Sequence, residues 1–258
     1  MKIGLFIKHE VVSKELEESL IQKVKNSGHE LDDENPQVVF TVGGDGTFLK
    51  AVHKYLDKLE GITFACVNKG NLGYFSNFVI EEFDEILTKL GSGDFVTNSY
   101  HLLNAKMNNE EIYAVNEIRI ENPFHTLISD VYIDDDHLET FRGNGLMVCT
   151  AIGSTAYNKS LGGSVIDPSL NVMELSEIAP INNRLFTSLG SPIVLSSEHK
   201  VTFKGDFSSV IIGYDYLIKK DYNSNEIVFS LSNKKVNVLN KKNHRYVKKL
   251  SDSFVSRK

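Results

Sequence analysis

The chain has 258 residues, 41% of them hydrophobic and 24% charged, and a formal net charge of −6. That length suits one large domain or two ordinary ones with ample material for a core, so the composition excludes a disordered chain. The acidic balance argues against a nucleic-acid partner gripped by a basic surface, but leaves room for small anions held by a local nest of N–H donors.

Strand and helix signals alternate at first. Lys2–Ile7 reads as a strand, and Ser13 precedes an amphipathic helix through Leu16, Leu20, Ile21 and Val24 that stops at Gly28. Val38–Val42 reads as a second strand, Thr47–Lys58 as a helix, Ile62–Val67 as a strand, and Glu81–Leu90 as a helix stopped by Gly91 and Gly93. Alternation of this kind implies a parallel sheet covered on both faces.

From about Thr97 to Leu239 the signal changes to short alternating runs: Glu111–Ile118, Ser129–Ile133, Gly145–Thr150, Pro192–Leu195, Lys200–Phe203, Ser209–Ile212 and Glu226–Leu231. These predict a β-rich, sandwich-like domain. Gly153–Leu161 is an exception, a short helix that Ser154 can cap, and Asn171–Glu177 fits neither template. The division predicted is 1–96 as an α/β domain with a parallel sheet, 97–239 as the β-rich domain, and 240–258 as a basic segment that packs back on the first.

The opening Met1–Ile7 run is too short and unflanked for a signal peptide, and no apolar run of about 18 residues follows. Cys66 and Cys149 sit in apolar runs, as buried reduced thiols do. The expectation is a cytoplasmic protein with no membrane partner.

Gly43-Gly44-Asp45-Gly46-Thr47 joins a buried strand to a helix. Glycines let backbone approach a ligand, and the N–H groups of such a turn favour phosphate. The carboxylate in the middle repels phosphate, so it is odd in a loop that only cradles phosphate. It makes sense if it takes a proton from a hydroxyl or faces a nucleotide-borne magnesium ion. That points to phosphoryl transfer. The bland alternative is a glycine turn that merely joins strand to helix. The loop is neither a Walker A motif nor a dinucleotide fingerprint, because it lacks their later residues.

Gly153-Ser154-Thr155-Ala156-Tyr157-Asn158-Lys159-Ser160 nearly spells a Walker A, but Asn158 stands where the second glycine belongs. What remains is a helix start dense in hydroxyls, able to bind ribose hydroxyls and to seat a base against Tyr157. Asn116-Glu117 places an amide beside a carboxylate in an apolar strand, either as surface polarity or as a pair suited to vicinal sugar hydroxyls. Asp134-Asp135-Asp136 reads as a solvated hairpin turn, and the Lys/Arg run from Lys241 to Lys249 as a wet surface. The eight histidines lack metal-ligand spacing, so no protein metal site is expected.

In their order, Gly43–Thr47, then Asn68-Lys69-Gly70-Asn71-Leu72-Gly73-Tyr74-Phe75, Asn116-Glu117, Phe141-Arg142-Gly143-Asn144-Gly145, and Gly153–Ser160 with Gly162-Gly163, the chain resembles the NAD kinases over nearly its full length. The first motif is shared with diacylglycerol and sphingosine kinases and phosphofructokinases; the Gly-Ser-Thr-Ala-Tyr segment is much more specific. The resemblance implies an N-terminal α/β domain, a C-terminal β-rich domain and a nucleotide site between them. It implies a kinase, a transferase that moves the γ-phosphate of ATP to the adenosine 2′-hydroxyl of NAD to give NADP.

On that resemblance Asp45 is the general base. Gly43, Gly44, Gly46 and Thr47 form the phosphate loop. The NAD site comprises Asp45, Gly46, Asn116, Glu117, Arg142, Asn144, Thr155, Ala156, Tyr157, Asn158, Lys159, Ser160 and Ala179. Mg2+ or another divalent cation accompanies ATP. The partners implied are NAD, ATP and further copies of the chain, in a dimer or homotetramer whose neighbouring subunit completes the site. Two departures stand out: Asn144 where the family usually has Asp, and Ala151 where a proline is common. The rival readings are a lipid kinase on a similar loop and a non-catalytic dinucleotide sensor.

Overall fold

The computed structural model describes residues 1–10, 12–70, 73–108, 110–220, 222–242 and 245–255. Asn71 and Leu72, quoted in the second motif, lie outside the described residues. The chain divides into two units, Met1–Ser99 with Lys235–Lys258, and Tyr100–Lys234. The pattern change in the sequence places the junctions at 96/97 and 239/240. Both positions fall inside long strands that run from one unit into the other, where alternation continues across the junction.

The first unit begins with β1 (Lys2–Ile7), α1 (Lys14–Asn26), β2 (Glu30–Leu31), β3 (Val38–Val42), α2 (Asp45–Lys54), β4 (Thr63–Asn68), β5 (Phe78–Val79) and α3 (Phe83–Lys89). Ser13 caps α1 by accepting the Leu16 amide. All five residues of β3 are buried, as in a parallel strand covered on both faces. Val38, Phe40 and Val42 pack with Leu20 and Val24 of α1 and with Phe83 and Ile86 of α3. Against the other face α2 sets Phe48, edge-on to Phe64 of β4 at 5.7 Å.

Both ends of α2 differ from the sequence expectation. Helix α2 starts at Asp45, two residues before the predicted Thr47, because Gly44 is its N-cap and an acidic residue suits the first turn. It ends at Lys54, before the predicted Lys58. A 3-10 turn over Ile80–Glu82 precedes α3.

The second unit contains β6 (Phe95–Met107), β7 (Glu110–Ala114), β8 (Glu117–Glu121), β9 (Leu127–Ile133), β10 (Asp136–Gly143), β11 (Gly145–Thr150), α4 (Tyr157–Ser160), β12 (Val172–Ile178), β13 (Ile193–Ser196), β14 (Val201–Lys204), β15 (Ile211–Tyr214) and β16 (Leu217–Lys219). The long β17 (Glu226–Lys241) returns the chain to the first unit, followed by α5 (Tyr246–Leu250) and a π-helical turn over Ser251–Val255.

One antiparallel sheet runs β13-β12-β11-β8-β15-β16, and β10-β9-β14 continues to the first half of β17. Leu146, Val148, Ile118 and Ile212 of the former share a core with Phe141, Phe203 and Phe229 of the latter, which makes the sandwich. In the first unit the second half of β17 pairs parallel with β4, and the order continues β3-β1-β2.

The ambiguous 171–177 segment is strand β12: its alternation is obscured because Met173, Glu174, Leu175 and Ser176 are all buried. The predicted strand Glu111–Ile118 is two strands with a break at 115–116. Ser154 is no cap; it lies buried in a 3-10 turn, Ile152–Thr155, donating to the Ala151 carbonyl and accepting from the Ile166 amide.

Candidate functional site

In the first unit the strand-to-helix turn is shaped by Gly43, whose φ of +152° few side chains adopt. Asp45 then opens α2, and both of its carboxylate oxygens accept backbone amides, Oδ2 from Tyr74 at 2.8 Å and Oδ1 from Phe75 at 2.9 Å. Charge-assisted bonds of this kind fix the plane of the carboxylate. Gly73 makes the approach possible, since a Cβ there would lie 2.5 Å from Oδ1. The motif around residues 73–75 thus works by gripping the acid of the first motif.

Gly44, Gly46 and Thr47 line a cleft of about 370 Å3 together with Phe6, Ile7, Lys8, His9, Glu10 and Lys50. Asp45 is not among the lining residues; its side chain turns to the 74–75 amides. The Thr47 hydroxyl is buried and has no hydrogen-bond partner. Amides at a helix start, an unengaged hydroxyl and Lys50 suit an anion, while Lys8 is ion-paired with Glu10 at 3.3 Å.

In the second unit, Asn116 and Glu117 are both buried, 8% and 4% exposed, which overturns their reading as surface polarity. Thr150 ties them to the Gly153–Ser160 segment: its amide donates to the Asn116 carbonyl (2.9 Å), its hydroxyl to the Val115 carbonyl (2.7 Å), and that hydroxyl accepts the Gly153 amide (3.0 Å). Asn116 Oδ1 and Glu117 Oε2 are buried without partners. Buried polar atoms are normally paired, so two adjacent orphans leave hydrogen-bonding capacity for a ligand or an ordered water. Burial pushes the Glu117 carboxyl up to about 7; the Asp215 charge adds to this and Arg119, 3.6 Å away, opposes it.

Asp215, which sequence reasoning missed, shapes the surroundings of Asn116 and Glu117. Its φ is +48°, and its two oxygens accept the amides of Val115 (2.9 Å) and Asn116 (2.8 Å), holding open the break between β7 and β8. Arg119 bonds Glu121 at 2.6 Å and lies over the Tyr157 ring, 5.3 Å from its centroid.

Within Gly153–Ser160, Thr155 is buried, Ala156 half-buried, and Tyr157, Lys159 and Ser160 are exposed. Asn158 is fully buried and its side chain is spent internally, donating to Glu174 (3.0 Å) and accepting from Ser176 (2.8 Å). Burial raises the Glu174 carboxyl above its ordinary range.

Arg142, Asn144 and Ala179 gather elsewhere. The Asn144 amide donates to the Ile178 carbonyl and the Ile181 amide to Arg142. The Arg142 guanidinium sits 4.3 Å from the Phe186 ring, and Ala179 has a φ of +46°, costly for alanine. This group stands at the Gly145 end of β11, whereas Asn116 and Glu117 flank its Thr150 end. Five steps of strand separate them by about 17 Å.

The basic C-terminal run is a wet surface at Lys241, Lys242 and Lys248, but not at Lys249, which is half-buried and donates to Asn77 Oδ1 at 2.8 Å. Asp134 takes a φ of +55° in the turn between β9 and β10. Among the described residues no three His, Cys, Asp or Glu side chains converge as a metal site. No described helix is long and apolar enough to cross a membrane.

Residues 5–95 match the ATP-NAD kinase N-terminal domain and residues 110–240 the ATP-NAD kinase C-terminal domain. The NAD kinase of Leuconostoc mesenteroides is 35% identical over 261 residues, covering 99% of each chain. That of Staphylococcus aureus is 36% identical over 265 residues, covering 99% of this chain and 98% of the relative. Among solved structures, an NAD kinase from Archaeoglobus fulgidus in complex with ATP superposes with a TM-score of 0.80 at 22% identity, over 98% of this chain and 99% of the other. Yeast NADH kinase complexed with NADH gives 0.85 at 19%, over 100% and 89%. These two likenesses concern the fold, whereas the domain matches and the full-length relatives carry the assignment: the chain belongs to the ATP-NAD kinase family.

Proposed function

We propose that this enzyme transfers the γ-phosphate of ATP to the 2′-hydroxyl of the adenosine ribose of NAD, giving NADP, and that Asp45 accepts the hydroxyl proton. The observation that carries this reading is the Asp45 carboxylate, fixed by two amides at the head of a helix whose glycines line an anion-suited cleft. Phosphoryl transfer asks the protein mainly for alignment and charge stabilisation, with an acceptor for the proton late in the reaction. Gly43, Gly44, Gly46 and Thr47 take the ATP phosphates, and Mg2+ or another divalent cation arrives on those phosphates as part of the substrate.

Asn116 and Glu117 bind ribose hydroxyls through their orphaned oxygens, with Thr155, Ala156, Tyr157, Lys159 and Ser160 beside them. Asn158 serves as the buried brace of that segment through Glu174 and Ser176.

Arg142, Asn144 and Ala179, about 17 Å along β11 from Glu117, complete the NAD site of a neighbouring copy. A dimer or homotetramer accords with the exposure of Phe124 (86%) and Leu185 (84%), large apolar side chains of the kind buried at interfaces. Two free buried cysteines suit the cytoplasm. NADP formation on mixing the protein with NAD, ATP and magnesium tests the activity. ATP turnover on lipid micelles in its place, or ligand binding without turnover, would contradict it.

A further inference from the structure

Asp45 poses a charge problem. If it accepts a proton while a triphosphate lies on the adjoining turn, two anions approach each other, and their repulsion opposes the transfer. The helix start and its amides offset part of that. A cation close to the carboxylate would offset more, and the first unit contains one.

Lys249 of α5 reaches back so that its Nζ donates to Asn77 Oδ1 at 2.8 Å and stands 5.2 Å from the centroid of the Tyr74 ring. Asn77 is itself held, since its Nδ2 donates to Asn240 of β17. The far end of the same C-terminal segment brings Phe254 to 6.4 Å from Tyr74. Tyr74 supplies one of the two amides on Asp45, and Phe75 the other. Ammonium and carboxylate are therefore anchored to one short stretch, residues 73–77.

We propose that Lys249 is a positioning residue for the phosphoryl transfer. Its ammonium, clamped on Tyr74 and Asn77, offsets the Asp45 carboxylate as the phosphoryl group arrives and keeps the 74–75 amides on that carboxylate. It gives up no proton in the reaction. The proposal rests on the reading of Asp45 as proton acceptor.

Two further features fit. Burial pulls the Lys249 ammonium down to about 8, while the Asp45 charge opposes that fall. The groups that bear on it are Asp45 from α2, Cys66 from β4, whose thiol burial pushes up to about 12, and Tyr74; Lys248 on its own helix is exposed. The charge on Lys249 is thus lost within an accessible pH range, with Cys66 still a neutral thiol.

The test is the pH profile of kcat/KM for ATP in wild type, Lys249→Met and Lys249→Arg, with full-length protein and thermal unfolding as the fold control. The free wild-type enzyme should lose activity with an alkaline midpoint near 8. Lys249→Arg, permanently charged, should carry activity past that midpoint. Lys249→Met should lower kcat by about tenfold or more with KM for NAD nearly unchanged, and show no alkaline limb in that range.

A Lys249→Met profile that superposes on wild type overturns the proposal. If the Met variant does not fold, a flat wild-type profile to pH 10, or an Arg variant that keeps the midpoint near 8, does the same. Asp45→Asn assayed alongside separates the two claims: full activity there sinks the reading of Asp45, whereas an inactive Asp45→Asn with an unshifted Lys249→Met profile sinks only the role of Lys249.

Discussion

The Asp45 carboxylate occupies the space in which a side chain at residue 73 would stand: a Cβ on Gly73 would come 2.5 Å from Oδ1 and 2.9 Å from Cγ. The second motif is therefore glycine at that point so that the acid of the first can reach the amides of Tyr74 and Phe75.

Gly73→Ala should push the carboxylate off its two amides. Overpacking of this kind costs about 1–3 kcal/mol, so a lower melting temperature and a kcat reduced by about tenfold or more are expected. Gly61→Ala, where nothing lies within 4 Å of the added Cβ, is the control and should keep its activity. Equal kcat in both variants would contradict the role given to the close approach.

Glu117 gives a pH test of stability. Its folded pKa near 7 lies above the ordinary 4.5, so between those values the folded state holds more protons than the unfolded chain, and stability falls as pH rises through the window. At about 1.36 kcal/mol per unit, the ionised form costs at most about 3 kcal/mol once the pH exceeds 7. Glu117→Gln should be more stable than wild type by about 1–3 kcal/mol at pH 8, keep little of that gain at pH 4.5, and bind NAD more weakly. Parallel urea-unfolding curves at both pH values would speak against it.

Asp215→Asn should act on the same pair. One amide loses its acceptor, which costs about 1–3 kcal/mol in stability, and loss of the Asp215 charge should lower the Glu117 midpoint. An NMR titration of the Glu117 carboxyl reads that shift directly. An unmoved midpoint would mean that the Asp215 charge does not reach Glu117.

The split of the NAD residues along β11 predicts complementation between copies. Asp45→Asn and Arg142→Ala should each be nearly inactive alone, and co-expressed mixed oligomers should recover NADP formation. No recovery in demonstrably mixed oligomers would argue that Arg142 does not act across subunits.

Much of this was legible in the sequence where burial follows periodicity. The Val38–Val42 run and the Ser13 cap announce their elements directly, and Gly43–Thr47 announces a strand-to-helix turn. What stayed hidden has polar side chains in apolar surroundings. Asn116 and Glu117 read equally as surface, because nothing local tells that Asp215, about 100 residues on, holds their backbone. Glu174 blurs the alternation of β12 for the same reason, buried against Asn158. Lys249 looks like the lysines beside it until tertiary structure brings it to Tyr74 and Asn77. The helix start at Asp45 was missed because a glycine N-cap leaves no side-chain signal.

The most direct measurement of the central claim is single-turnover NADP formation by Asp45→Asn with saturating NAD, ATP and magnesium. The account predicts a rate about 10²–10⁴ below wild type with both substrates still bound. A rate near wild type would contradict it.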